Sequence, residues 1–261
     1  GVWESLPSIV LPGWAKFWLA TVSLYEWRGM VPLLPELWLL PYALPVHPGR
    51  LWCHCRMVYL PMSFVYAAKV SVPVTPLIAA LRDEIWVEPY AQVDWAACRD
   101  AISPLDQYYR PGWLLRAVNA AQCAYEPVHS TWLRRRAMRE VFEHISFEDW
   151  STKHIDIGPV NKAINWLSVW VQEGAHSDNF ARHVQRVADY LWLAPDGMKM
   201  QGYNGCQLWD TAFAAQAFVA TGLAREFTPT LERVYDYLDI TQVRENVPNL
   251  ARYYRHISKG A

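Results

Sequence analysis

The chain has 261 residues, with 24 Lys+Arg against 25 Asp+Glu and a formal net charge of −1. That length supports one large domain or two small ones around a sizeable core, and the near-neutral balance excludes the concentrated cationic footprint that a nucleic-acid partner needs. Hydrophobic residues at 52% and charged residues at 19% exclude intrinsic disorder, and 15 Trp and 14 Tyr must fill cores, line a pocket or meet an apolar interface.

In chain order, residues 1–76 hold ten of the 18 prolines. Proline fixes φ and cannot donate to a helix ladder, so short helices joined by rigid turns are predicted here. One helix is expected from Trp14 to Trp27, closed by Gly29, and another from about Leu60 to Lys69, with Pro61 in its first turn. The most apolar stretch, residues 5–48, is interrupted by Lys16, Glu26, Arg28 and Glu36 and by Pro32, Pro35, Pro41, Pro45 and Pro48. A spanning helix needs about 20 mostly apolar residues in a row, so no span is expected. A chain this apolar could still lie on a membrane surface.

The rest reads as helix after helix. In 130–146, Leu133, Ala137, Met138, Val141, Phe142 and Ile145 repeat at helical spacing behind Ser130 as N-cap, leaving Arg134, Arg135, Arg139 and Glu143 on a solvated outer face. Pro159 opens a helix carrying Val160, Ile164, Leu167 and Val171. Phe180, Val184, Val187 and Leu191 mark the next. Asp210 caps another, with Phe213, Ala217 and Val219 inward and Gly222 closing it, and a last one uses Leu231, Val234 and Leu238. No period-2 strand pair is evident, and the Asn204-Gly205 dipeptide precedes a helix instead of joining strands. The predicted fold is all-α, a barrel or stacked helical hairpins.

Cys53, Cys55, Cys98, Cys123 and Cys206 are too sparse for a disulfide framework, so reduced thiols in a cytosol-facing protein are expected. No signal peptide is visible, and the start at Gly1 suggests that the true beginning lies upstream.

Two clusters carry chemistry. The first is Trp52-Cys53-His54-Cys55-Arg56, leading into Val58-Tyr59-Leu60-Pro61-Met62-Ser63. Cys-His-Cys invites a metal reading, but zinc sites draw ligands as separated pairs and no second pair follows; the alternative is a buried, hydrogen-bonded histidine. The second runs from Asp196 through Met198-Lys199-Met200-Gln201-Gly202-Tyr203-Asn204-Gly205 to Gln207-Leu208-Trp209-Asp210. It lacks the Gly-Lys-Ser/Thr of a phosphate loop. Taken alone, it describes a tight loop leading into a helix, with Trp209 packed in the core.

Together these clusters, with Lys16-Phe-Trp-Leu-Ala and Ile157-Gly-Pro, resemble the oxidosqualene cyclases along the whole chain. The resemblance implies two α/α barrels of the terpenoid cyclase type with the active cavity between them. Residues 1–190 would form most of the inserted barrel and 191–261 the first helices of the second, catalytic barrel. It implies 2,3-oxidosqualene as substrate, no cofactor, no metal, no nucleic acid, and a monotopic seat on the endoplasmic reticulum membrane or a lipid droplet, or on the cytoplasmic membrane in a bacterium. The family's cavity tryptophan matches Trp209, and other wall aromatics match Trp52 and Trp14. His54 matches the histidine that orients a hydroxyl or helps accept the last proton. Val58 and Gly202 match shape-setting positions, and Cys55 and Tyr59 match the constriction through which substrate passes. Tyr203 resembles the cycloartenol-forming branch, where lanosterol-forming members carry Thr. The family's protonating Asp-Cys-Thr-Ala-Glu motif is absent from these 261 residues, so an internal piece of a cyclase, inactive alone, is expected. Two rivals are an inactive lipid-binding module and a protein prenyltransferase β-subunit, the latter requiring a zinc site.

Overall fold

The computed structural model describes residues 12–107, 110–202 and 206–260. Tyr203 and the Asn204-Gly205 dipeptide lie outside the described residues. The chain forms two compact units, one of residues 1–48 with 59–142, the other of 49–58 with 143–261.

In the first unit, α1 covers Gly13–Thr21 and buries Lys16, Phe17 and Ala20. It stops short of the expected Trp27 because Ser23 takes φ +61, a conformation that ends helical bonding. The carbonyl of Ser23 then accepts from Arg82 Nε at 2.8 Å, and its hydroxyl donates to Val72 O. Trp27–Gly29 is a separate 3₁₀ turn. Gly29 does not cap a helix there. It lies against the Tyr25 ring, where a Cβ would come within 2.6 Å of a ring carbon, and its carbonyl accepts from the Tyr25 hydroxyl. Around this turn Phe17, Trp27, Tyr66, Tyr25, Trp86 and Trp95 pack edge to face or tilted, the arrangement aromatic quadrupoles favour.

Helix α2 covers Cys53–Ala68, so Pro61 lies inside it and not in its first turn. A proline there cannot donate to the carbonyl four residues back, that of Met57. Asn161 Nδ2 donates to that carbonyl instead, at 2.6 Å, which removes the penalty that would otherwise have moved the helix start to Leu60. Helix α3, Pro76–Ile85, is capped by Thr75, whose hydroxyl accepts from Ile78 N, and α4 covers Trp113–Tyr125.

Helix α5, Thr131–Ser151, begins at Ser130 as expected, the hydroxyl accepting from Leu133 N at 3.4 Å. Ala137, Val141 and Ile145 are buried on one face. Arg134 is not on the solvated face. It is buried, with Nε 2.6 Å from Glu36 Oε1 and Nη2 2.8 Å from Glu126 Oε2, while Lys69 Nζ holds the other Glu126 oxygen at 2.8 Å. Burial acts against ionising Glu126, but the hydrogen bonds from Arg134 and Lys69 outweigh it and hold the carboxyl below its usual range.

In the second unit, α6 covers Pro159–Glu173 and is closed by Gly174 at φ +88; α7, Asp178–Gln185, is capped by Ser177. A 3₁₀ turn through Tyr190 leads into an antiparallel hairpin of β1, Leu191–Ala194, and β2, Gly197–Met200, with Leu191 opposite Met200. This hairpin, unforeseen in the sequence, is the one departure from an all-α fold among the described residues. Helix α8, Cys206–Ala220, starts before Asp210, so that residue sits in its second turn and caps nothing. Gly222 at φ +76 follows α8, as expected, and α9, Thr228–Thr241, packs on it. Phe213 and Val219, expected inside, are exposed at 59% and 63%. Among the described residues, no helix is long and apolar enough to cross a membrane.

Candidate active-site residues

The Trp-Cys-His-Cys-Arg run lies at the start of α2. The carbonyl of Trp52 accepts from Cys55 N at 2.9 Å and Arg56 N at 3.0 Å, so Trp52 occupies the cap position. Its ring, 65% exposed, lies 4.4 Å from the half-buried His54 imidazole at 38°. Helical spacing places Cys55 and Val58, both half-buried, on the face that Trp52 begins. Cys53, Cys55, Cys98 and Cys123 are free thiols, in line with the absence of a disulfide framework.

In the first unit, Trp14 on α1 and Tyr59 on α2 line one cavity of about 1020 Å³. Met30, Leu33 and Met62 supply more of its apolar side. Burial pushes the Lys16 ammonium at its edge down to about 8, and three backbone carbonyls hold it, those of Cys98, Arg99 and Ala101 at 2.6, 2.9 and 3.0 Å.

Gly202 follows β2 and is exposed. Just before it, Gln201 N donates to Tyr190 O at 2.9 Å, which holds this segment to the start of the hairpin. Trp209 is 64% exposed on α8, its ring 5.8 Å from Phe213. It is therefore a presented aromatic face and not the core residue that the local sequence suggests. The structure thus brings Trp52 to His54 and Trp14 to Tyr59, while Trp209 stands on a separate helix.

Sequence reasoning missed a buried polar cluster in the second unit. Glu148 and Asp149 end α5, Asp156 follows it, Lys162 and Asn165 lie on α6 and His183 on α7, all buried. Lys162 Nζ donates to His154 O at 2.5 Å and lies 2.6 Å from His183 Nδ1 and 3.7 Å from Asp156 Oδ2. With the ammonium on Nδ1, the ring proton belongs on Nε2, which is 3.3 Å from Asp149 Oδ2. Asn165 Nδ2 donates to Asp149 Oδ1 at 3.0 Å. Burial pushes Glu148 up to about 8 and Asp149 up to about 7, and it lowers His183 to about 4. Buried carboxylic acids are therefore present in this unit. Asp149, Asp156 and His183 are the group among the described residues able to hold a metal ion. The Lys162 ammonium already supplies a positive charge beside Asp156 and His183. The signal was in the helix period: Ala137, Val141, Ile145 and Glu148 continue one buried stripe, as do Asn161, Ile164, Asn165 and Ser168.

The described residues thus form a helical chain that presents indole faces, one of them against a histidine, and holds a cavity with one apolar side. Residues 11–157 match the squalene-hopene cyclase N-terminal domain family. The chain is 53% identical over 251 residues to the cycloartenol synthase of Dictyostelium discoideum, covering 96% of this chain and 36% of that protein. It is 48% identical to the lanosterol synthase of Mus musculus, over 97% of this chain and 35% of that protein. With the alpha-onocerin synthase of Lycopodium clavatum, the identity is 40% over 96% of this chain and 33% of that protein. The chain belongs to the oxidosqualene and squalene-hopene cyclase family, and its all-α structure is the terpenoid cyclase fold. It spans about a third of the length of the curated relatives that it matches.

Proposed function

We propose that the chain is part of a sterol-forming oxidosqualene cyclase, an isomerase that closes (3S)-2,3-oxidosqualene to cycloartenol through a protonation-initiated carbocation cascade; lanosterol is the second reading. The observation that carries this is the 53% identity to a cycloartenol synthase along 96% of the chain. A cation in a dry cavity is quenched by water or a strong nucleophile, so neutral π faces are the suitable stabilisers. Trp209, Trp52 and Trp14 supply such faces. His54, held at the Trp52 ring, orients a hydroxyl or accepts the last proton. Val58, Gly202 and Tyr203 set the shape of the wall, and Cys55 and Tyr59 form the constriction. Residues 1–190 belong on this reading to the inserted barrel and 191–261 to the catalytic one, the helical run giving way to the hairpin at Leu191. An apolar substrate dissolves in membrane, so the seat is monotopic, on the endoplasmic reticulum or a lipid droplet. The exposed apolar side chains support that placement.

The test replaces the matched 251 residues of the Dictyostelium cycloartenol synthase with this segment and follows oxidosqualene products by gas chromatography. Cycloartenol is expected. Lanosterol would favour the second reading, and a correctly folded chimera with no tetracyclic product would overturn both. The 261 residues alone, which lack the acid motif, are expected to give none.

A further inference from the structure

The cavity of the first unit carries charge for which a neutral triterpene epoxide has no use. Trp14, Met30 and Met62 make one side of it apolar. Among the described residues, Lys16, Arg99, Arg110 and Arg116 also line it, against one carboxylate, Asp100. Elsewhere in this unit buried cations are matched: Arg134 has Glu36 and Glu126. Here they are not. The Lys16 ammonium, 1% exposed, is held by three carbonyls, none of which carries a compensating charge. Arg99 Nε donates to the carbonyl of Arg28 at 2.9 Å. Arg110 and Arg116 are exposed at the lining. Unmatched cations beside a low-dielectric wall focus a positive potential into the cavity, and guanidinium groups are the donors best matched to carboxylate or phosphate oxygens.

We infer that this cavity binds an anionic amphiphile, a hydrocarbon chain lying against Trp14, Met30 and Met62 and ending in a carboxylate or phosphate at Arg99, Arg110 and Arg116. The volume of about 1020 Å³ suffices for a long chain, since pockets of roughly 300–1,000 Å³ hold drug-sized ligands. The site shares Trp14 with the cyclase reading, but binding is measured without turnover, so the failure of either is told from the failure of the other.

The test titrates the 261-residue chain calorimetrically with oleate, dodecyl phosphate, oleyl alcohol and inorganic phosphate, each chain compound below the concentration at which it aggregates. Oleate and dodecyl phosphate are expected to bind at least tenfold tighter than oleyl alcohol, with affinity falling as salt rises; which of the two binds tighter names the headgroup. The double variant Arg110→Gln, Arg116→Gln should lose at least tenfold, and Arg110→Lys, Arg116→Lys should recover most of that. Circular dichroism reports whether each variant folds. If the Gln variant does not, the ligand comparison on the unmutated chain and the single Arg110→Gln decide. Equal affinity for oleyl alcohol, or inorganic phosphate binding as tightly as dodecyl phosphate, would overturn the inference, as would unchanged oleate affinity in the folded Gln variant.

Discussion

Glu148 shows how far a buried environment moves one side chain. Its carboxyl keeps its proton to about pH 8, against an ordinary value of 4.5, first through burial and then through the neighbouring charge of Asp156. The stability that its neutral form supports is complete below about pH 4.5 and is lost as pH rises through 8. Asp149, raised to about 7, acts in the same direction, whereas His183, lowered from 6.5 to about 4, gains stability above 6.5 and loses it toward 4. The opposing terms overlap below pH 6.5, so the fall should be clearest between 6.5 and 8. We expect the urea midpoint to drop over that interval and the drop to shrink in Glu148→Gln; an identical pH profile in the two chains would show that Glu148 is not the titrating group. A second residue-scale expectation concerns Tyr203. In the chimera, Tyr203→Thr should divert product from cycloartenol toward lanosterol or parkeol. Competing deprotonations branch from neighbouring cations, and a differential of about 1.4 kcal/mol between two barriers shifts the ratio tenfold. An unchanged cycloartenol fraction would remove Tyr203 from product control.

At the scale of elements, α2 survives a proline in its interior because Asn161 on α6 answers the carbonyl that Pro61 cannot serve. The Asn161 Oδ1 also accepts from Ile157 N at 3.0 Å, which pins the turn before α6. Asn161→Ala should therefore cost roughly 1–3 kcal/mol, the usual penalty for a buried polar group left unsatisfied. Adding Pro61→Ala should return part of that cost, since alanine supplies an N–H to the Met57 carbonyl. Denaturant unfolding of the two single variants and the double measures the coupling, and strictly additive costs would sink this account of the helix.

At the scale of the whole molecule, large apolar side chains face solvent: Trp113, Trp52, Trp209 and Phe213 are 81, 65, 64 and 59% exposed. Trp209 and Phe213, with rings 5.8 Å apart, are adjacent exposed apolar groups of the kind that meet another apolar body. The purified 261-residue chain should bind a hydrophobic dye strongly and self-associate, and detergent should reverse both. A monodisperse monomer with low dye binding would count against the presented aromatic faces.

What the sequence determined is what short-range physics decides. Ser130 caps α5, Pro159 starts α6 and Gly222 ends α8 because each acts on backbone groups within a few residues, and the family was legible in two runs of side chains contiguous in the chain. The hairpin was not legible, since both strands are largely exposed and show no alternation. Arg134 looked like a surface cation because its partner Glu36 lies 98 residues away. The extra length of α2 depended on Asn161, 104 residues from Met57. The cluster around Lys162 draws on α5, α6, α7 and the turn between the first two. A carboxyl or ammonium becomes a core group only when folding brings its counterpart into the same dry volume, and local pattern carries no record of that meeting.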